Sequence, residues 1–231
     1  NWEPPFNPIE IGRAYTEATA WQYRFFVPHD VQGLINLYGG SEEFASVLDT
    51  LFSMPVGMSG HDVPIDITGL IGQYAHGNEP SHHVAYLYNY AGQPHKAQQR
   101  LHEIMSTLYT DQPDGLCGNE DCGQMSAWYV FSAMGFYPVN PAEGIYILGK
   151  PMVEKAEISI GDKPFKVKTV GWSDENIYVQ SVKLNGRAYN KLFITHADIV
   201  NGGTLEFTMS SVPGNFKHAI LPPSMSETLN E

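Results

Sequence analysis

The sequence is poor in cysteine and in positive charge, and it contains no long apolar run. Two cysteines among 231 residues leave no C-x-x-C pattern, the spacing of redox and zinc motifs. No apolar run approaches the roughly 20 residues that span a bilayer. No basic segment followed by an apolar one opens the chain, so we expect neither a membrane span nor a leader within these residues.

The charge balance narrows the class of ligand. Thirteen basic residues against 25 acidic ones give a formal net charge of -12. This balance argues against nucleic acid and anionic membrane surfaces, and it suits neutral or cationic ligands or a metal ion. Aromatic residues make up 12% of the chain. Their rings can stack on the C–H faces of sugars, but most of them are expected in the core.

The first 140 residues carry the apolar spacing of helices. Ser41, followed by two acidic residues, predicts a helix start, and Pro94 suits the first turn of another helix. The predicted helices span residues 13–26, 31–38, a segment that begins at 41, 82–90, 94–109 and 124–136.

Beyond residue 140 the apolar period changes from 3.6 to 2, which is typical of strands. The predicted strands span residues 144–148, 156–160, 165–169, 177–184, 192–195 and 204–209, with hairpin-type turns at 161–162, 185–186 and 202–203. Helices followed by strands predict an α+β fold. We expect a helical part at residues 1–140 and a β-rich subdomain at residues 141–231.

The first of three polar clusters in the helical half spans residues 15–23. Glu17 lies four residues before Trp21, which places both on one face of the predicted helix. A carboxyl group beside aromatic rings can have a raised pKa and serve as a general acid. A solvated helix glutamate is the alternative that these residues leave open.

The second cluster spans residues 76–83. Asn78 and Glu79 offer hard oxygen ligands suited to calcium, and Gly77 lets the backbone approach closely. Zinc is less suited, because His82 and His83 are adjacent and point to different helix faces. Ordinary polar capping of a helix start is the alternative.

The third cluster, residues 113–124, contains three glycines and three acids before a predicted buried helix. Such a loop can hold an acid against local propensity and is a common place for a catalytic base. Helix capping explains acids there equally well. Cys117 and Cys122 lie in this loop, and the sequence leaves open whether they form a disulfide, since so short a loop strains its geometry.

Together the clusters resemble the signature blocks of glycoside hydrolase family 92. They occur in order with FVPHD at residues 26–30, MSAWYVFSAMGFYP at residues 125–138 and SVP at residues 211–213. The resemblance implies a calcium-dependent exo-α-mannosidase that acts with inversion, secreted or periplasmic, with α-1,2 linkages the expected target. It also implies an N-terminal β-sandwich packed on an α/α toroid with a β-rich tail.

The resemblance covers nearly the whole chain but only roughly the last third of a family member. It therefore implies that the helical part is an incomplete toroid and that the sandwich domain, a partner within the same protein, is missing. The expected external partners are mannose-containing glycans. We expect the isolated fragment to be inactive.

The resemblance also assigns roles to residues. Glu17 is the expected general acid, with Glu10 as the alternative, and Asp121 is the expected base. Many family members have an aspartate at the position of Asn119, so its absence here favours Asp121. An inverting pair should stand about 6.5–9.5 Å apart, to leave room for water. The expected substrate-binding residues are Trp21, His82, Asn119 and Glu120, and the expected calcium ligands are Asn78 and Glu79.

Two other functions fit parts of the sequence. The β-rich half alone, with Trp172 and Tyr178, could be a carbohydrate-binding module that neither hydrolyses its ligand nor needs calcium. Another toroidal glycosidase or lyase is the second alternative, and the cluster at residues 76–83 argues against it.

Overall fold

The computed structural model describes residues 5–11, 14–60, 64, 67–160 and 163–229. The helices are α1 (Ala20–Tyr23), α2 (Val31–Leu37), α3 (Ser41–Ser53), α4 (Pro94–Thr107), α5 (Gln124–Met134) and α6 (His196–Val200). Short 3₁₀ helices span Glu79–Ser81, Val84–Asn89 and Pro141–Glu143. None of the helices in these described segments is long and apolar enough to cross a membrane.

The strands form three sheets. A hairpin pairs β1 (Leu70–Ile71) with β2 (Tyr74–Ala75). An antiparallel sheet has the order β3 (Phe136–Tyr137), β4 (Ile145–Leu148), β9 (Phe193–Thr195). A mixed sheet has the order β5 (Lys155–Ile158), β6 (Phe165–Val170), β10 (Gly203–Ser210), β7 (Tyr178–Leu184), β8 (Arg187–Ala188).

The predicted α+β fold is confirmed, and all six predicted strands are present. In β6, buried Phe165 and Val167 alternate with exposed Lys166 and Lys168, the period that predicted the strand. The turn at residues 185–186 joins β7 to β8 as predicted. The predicted turn at 161–162 lies outside the described residues.

The hairpin predicted at residues 202–203 is wrong. These glycines connect α6 to β10, and β10 then pairs parallel with β6 and antiparallel with β7. Both glycines have positive φ, 70° and 126°, which glycine adopts without the steric cost of a side chain. The residue pair therefore does mark a turn, but between a helix and a strand.

The single helix predicted at residues 13–26 is also wrong. Within residues 14–26, the part of this segment that the structure describes, the only helix is the four-residue α1. Glu17 has a φ of 53°, which a right-handed helix cannot contain. The Thr19 N–H donates to Gln22 Oε1 at 2.7 Å, a capping contact that begins the helix at Ala20. Glu17 and Trp21 therefore do not share a helix face.

Of the three hydrophobic clusters formed by the described residues, the two largest meet at the three-stranded sheet. The larger core joins α2, α3, α4 and Trp128 of α5 with Ile147 of β4 and Phe193 of β9. The smaller core lies under the mixed sheet and includes Phe136 of β3. Strand β3 lies before residue 140 but pairs with β4 beyond it. The division at residue 140 stays a prediction, and the structure shows packing across it.

Candidate active site

The structure brings the three polar clusters together. Gly118 of the third cluster lies against Gly77 of the second: a Cβ at Gly118 would stand 2.8 Å from the Gly77 Cα. Asn78 Nδ2 donates to the backbone oxygen of Glu17 at 2.8 Å, which joins the second cluster to the first. Residues more than 100 positions apart in sequence thus line one region.

A buried group of aromatic and histidine side chains supports this region. His76 lies between two hydroxyls, Tyr74 Oη at 2.7 Å from Nδ1 and Tyr109 Oη at 2.6 Å from Nε2. Its ring stands edge-on to Trp128 at 4.3 Å between centroids. Burial lowers the pKa of His76 well below its usual range, and the neighbouring His82 lowers it further, so His76 is neutral at neutral pH.

The buried His82 side chain is hydrogen-bonded to residues of the second and third clusters. It is 3% exposed. Its Nε2 faces the backbone oxygen of His76 at 2.9 Å, and its Nδ1 faces Gln124 Nε2 at 3.0 Å. These partners assign the hydrogen to Nε2 and make Nδ1 an acceptor. Burial lowers its pKa to about 4, although hydrogen bonding to His76 and the charge of Asp121 oppose the shift. His82 was predicted to bind substrate, and both of its ring nitrogens are engaged by partners inside the chain.

Asp121 lies on an exposed left-handed turn next to Asn119, which is also exposed. The φ angles of Asp121, Cys122 and Gly123 are 49°, 55° and 92°. The carboxylate of Asp121 is close enough to influence the pKa of His82. The third cluster therefore presents this carboxylate to solvent above the buried histidines.

The neighbouring Glu120 is bound to helix α5. Its Oε1 accepts from Ser126 N at 3.0 Å and its Oε2 accepts from Ser126 Oγ at 2.7 Å. These hydrogen bonds lower the pKa of the Glu120 carboxyl, since they stabilise its charged form. The sequence predicted that Glu120 contacts substrate, but the structure places both of its oxygens against Ser126.

The two cysteines of this loop are free thiols. Cys117 packs against Gly69, where an added Cβ would stand 2.5 Å from its Sγ. Burial raises the pKa of the Cys117 thiol to about 11, so it is not a reactive thiolate. Cys122 is exposed. The disulfide that the sequence left open is not formed in this structure.

Glu17 is exposed and has a φ of 53°. Trp21 lies beneath the Arg24 guanidinium, 4.4 Å from its ring centroid, and lines a cavity of about 490 Å³ with Tyr15, Tyr23 and others. Its indole Nε1 is buried and has no hydrogen-bond partner among the described residues. Glu10, the alternative acid, forms an isolated parallel β-bridge with Ser59 through its backbone.

The donor set at Asn78 and Glu79 suits a hard cation in part. Asn78 is buried, and its Oδ1 accepts from Glu79 N at 3.2 Å, while the Glu79 side chain is exposed. Amide and carboxylate oxygens are calcium ligands. The described residues contain no group of three or more His, Cys, Asp or Glu placed to hold a metal ion. Further oxygens would have to come from backbone, water, substrate or other parts of the protein.

Two aromatic residues of the β-rich half, Trp172 and Tyr178, underlie the carbohydrate-binding alternative. Trp172 is 39% exposed. The hydroxyl of Tyr178 accepts from Gln99 Nε2 at 2.6 Å, which binds Tyr178 to helix α4. The carbohydrate-binding alternative stays a prediction.

Comparisons with known proteins identify the family of the chain. Residues 1–211 match the model of the glycosyl hydrolase family 92 catalytic domain. A relative described as an uncharacterized secreted glycosidase of Arthroderma benhamiae is 36% identical over 197 residues, which is 84% of this chain and 23% of the relative.

Solved structures give the same result. A family GH92 alpha-mannosidase from Bacteroides thetaiotaomicron, solved with mannoimidazole, is 42% identical with a TM-score of 0.90, over 99% of this chain and 31% of that one. A family GH92 inverting mannosidase of that species is 36% identical with a TM-score of 0.83, over 97% and 32%. The chain thus spans less than a third of the length of these relatives, and it belongs to glycoside hydrolase family 92.

Proposed function

We propose that this chain carries the general acid and the general base of an exo-acting, inverting α-mannosidase that is a longer protein. The observation that carries the proposal is the meeting of the Glu17, Asn78 and Asp121 segments through the Gly77–Gly118 contact and the Asn78–Glu17 hydrogen bond. The similar solved structures are an alpha-mannosidase and an inverting mannosidase.

The backbone at the two carboxylates gives further support. Among the described residues, the non-glycine residues with positive φ are Glu17, Asp121, Cys122 and Asn185. Asn185 is accounted for by a hairpin turn. Strained backbone at the other positions is typical of functional sites, where the fold holds a side chain in a required direction.

The two carboxylates have different roles in this mechanism. Glu17 protonates the leaving glycosidic oxygen, and Asp121 accepts a proton from the water that attacks the anomeric carbon from the opposite face. The single displacement inverts the configuration. His82, which burial keeps neutral at neutral pH, lies near enough to Asp121 for the two groups to interact electrostatically.

Asn78 and Glu79 would hold calcium as part of its ligand shell. When bound, calcium supplies a positive charge that orients sugar hydroxyls and stabilises charge in the transition state. Calorimetric titration of the longer protein with calcium should lose its strongest event in Glu79→Ala. Unchanged calcium affinity in that variant would reject this assignment.

The longer protein is expected to prefer α-1,2 linkages and to be secreted or periplasmic, since a relative is described as secreted. The chain alone should be inactive, because an exo-acting pocket needs walls that position the sugar and exclude water. Three experiments test these expectations in turn. They are hydrolysis of linkage-defined mannobiosides, fractionation of the source cells and an activity assay of the isolated chain.

The catalytic pair is tested by two variants of the longer protein on two substrates. Asp121→Ala should lower kcat by about 10²–10⁴-fold on both an aryl mannoside and a mannan oligosaccharide, because water must be activated for each. Glu17→Gln should be least impaired on the aryl mannoside, whose acidic leaving group departs with little protonation.

Asp114→Ala is the matched control, because Asp114 is an exposed acid on the same loop as Asp121. Its kcat should equal that of the wild type. Near-normal activity of Asp121→Ala, or equal loss on both substrates in Glu17→Gln, would overturn the assignment. Glu10 would then be the next acid to test.

A further inference from the structure

The turn that carries Asp121 needs an anchor. Asp121, Cys122 and Gly123 have left-handed φ angles in succession. Only the last of them is a glycine, so the two side chains before it occupy a conformation that is unfavourable for them. Such a turn persists only where its surroundings hold it.

Glu120 and the first turn of α5 provide that anchor. The backbone oxygens of Glu120 and Asp121 accept from Met125 N at 3.2 Å and Gln124 N at 3.1 Å. The Glu120 carboxylate crosses the turn and accepts both the N–H and the hydroxyl of Ser126. Each of these hydrogen bonds joins Glu120 or Asp121 to the first turn of α5, so each one spans the turn at residues 121–123.

The capping position of α5 explains why a side-chain hydrogen-bond acceptor is needed. The N-cap residue is Gly123, which has no side chain to accept a hydrogen bond from the first turn. The Glu120 side chain replaces it by accepting from the third residue of the helix, where a negative charge is also favoured by the helix dipole.

We propose that Glu120 is a positioning residue for Asp121: by binding Ser126 it fixes the left-handed turn and hence the direction of the Asp121 carboxylate. The inference rests on the proposed function of Asp121 as the base. It is an alternative to the substrate contact that the sequence predicted for Glu120, which stays a prediction.

The test uses substitutions at Glu120 in the longer protein. Glu120→Ala removes both contacts to Ser126 and should lower kcat by about 10–100-fold, with KM changed less than about threefold, because a displaced base affects the transition state more than substrate binding. Glu120→Gln should stay within about threefold of wild-type kcat, since its amide can accept from Ser126 N and donate to Ser126 Oγ.

Ser126→Ala tests the same contact from the other side. It should lower kcat in the same direction as Glu120→Ala, and the double variant should be no slower than Glu120→Ala, because both substitutions break one interaction. Additive losses would overturn the inference.

Asp198→Ala is the matched control. Asp198 is the third residue of α6, and like Glu120 it binds both the N–H and the hydroxyl of one residue: its Oδ2 accepts from Thr195 N at 2.8 Å and Thr195 Oγ1 at 2.7 Å. It should lower the thermal midpoint without changing kcat. In Glu120→Ala, kcat should be reduced even at temperatures well below the thermal midpoint of that variant. A loss of kcat in the folded protein separates positioning from loss of folding.

Other outcomes would also overturn the inference or the function on which it rests. A loss confined to KM would make Glu120 a substrate ligand, and equal loss in Glu120→Gln and Glu120→Ala would make its charge the requirement. Normal kcat in Glu120→Ala, with Asp121→Ala inactive, would reject the positioning role and leave the base assignment intact. Activity retained in Asp121→Ala would reject the proposed function itself.

Discussion

At the scale of single residues, the contact between Gly77 and Gly118 sets the distance between two loops of the site. A Cβ added at Gly118 would lie 2.8 Å from the Gly77 Cα, 2.9 Å from its oxygen and 3.1 Å from Thr68 Oγ1. Two of these are backbone atoms, which cannot rotate away as a side chain can. The loops that carry Asn78 and Asp121 would have to separate.

Gly118→Ala in the longer protein should therefore lower both activity and stability. We expect kcat to fall about tenfold or more, because small displacements of catalytic groups are costly, and the free energy of unfolding to fall by about 1–3 kcal/mol through overpacking. Gly57→Ala is the control, since a Cβ there meets nothing within 4 Å. Normal kcat in Gly118→Ala would show that this contact does not position the loops.

Residue types and order predicted the three clusters, but not the contacts that join them. His76 lies between Tyr74 and Tyr109, and Trp128 donates to the backbone oxygen of His82 at 2.8 Å. Tyr109 stands 33 positions after His76 in the chain. No local pattern indicates such a pairing, because it results from packing between distant elements.

At the scale of helices and strands, side-chain periodicity predicted long elements well and short ones poorly. Helices α3 and α4 and strands β6, β7 and β10 repeat their apolar pattern over enough residues to be recognised. Helix α1 has only four residues, because the left-handed Glu17 precedes it. The segment predicted as a helix at 82–90 is a 3₁₀ helix at Val84–Asn89.

Helix α6 was missed, although a local signal marks its start. Thr195 and Asp198 have the spacing of a capping box, and the structure shows both of its hydrogen bonds. The five-residue helix is too short for periodicity to reveal. The parallel pairing of β6 with β10 has no local signal, since it depends on how the sheet is assembled from strands nearly 40 positions apart.

At the scale of the whole molecule, buried neutral histidines connect the loops of the site to the core. His83 Nε2 faces the backbone oxygen of Phe25 at 2.8 Å. Burial lowers the pKa of His83 to about 4, as it does for His82, and it also lowers the pKa of His76 well below its usual value. These side chains are protonated readily in the unfolded chain, where histidine has a pKa of about 6.5.

The folded protein should therefore lose stability as the pH falls from about 6.5 to about 4. In that window the unfolded chain binds protons that the native histidines do not, so the free energy of unfolding decreases with falling pH. His82 and His83 should each account for a loss on the order of 3 kcal/mol by about pH 4. Hydrogen bonds from Ser226 hold the pKa of Asp30 at about 2, so protonation of Asp30 lowers stability only below this pH window.

Thermal midpoints of the longer protein between about pH 7 and pH 5 measure the effect. In His83→Gln the midpoint should depend less on pH, because the amide keeps a donor for Phe25 but does not titrate. His218→Gln, at an exposed histidine, should keep the wild-type dependence. Equal pH dependence in wild type and His83→Gln would show that protonation of His83 does not limit acid stability.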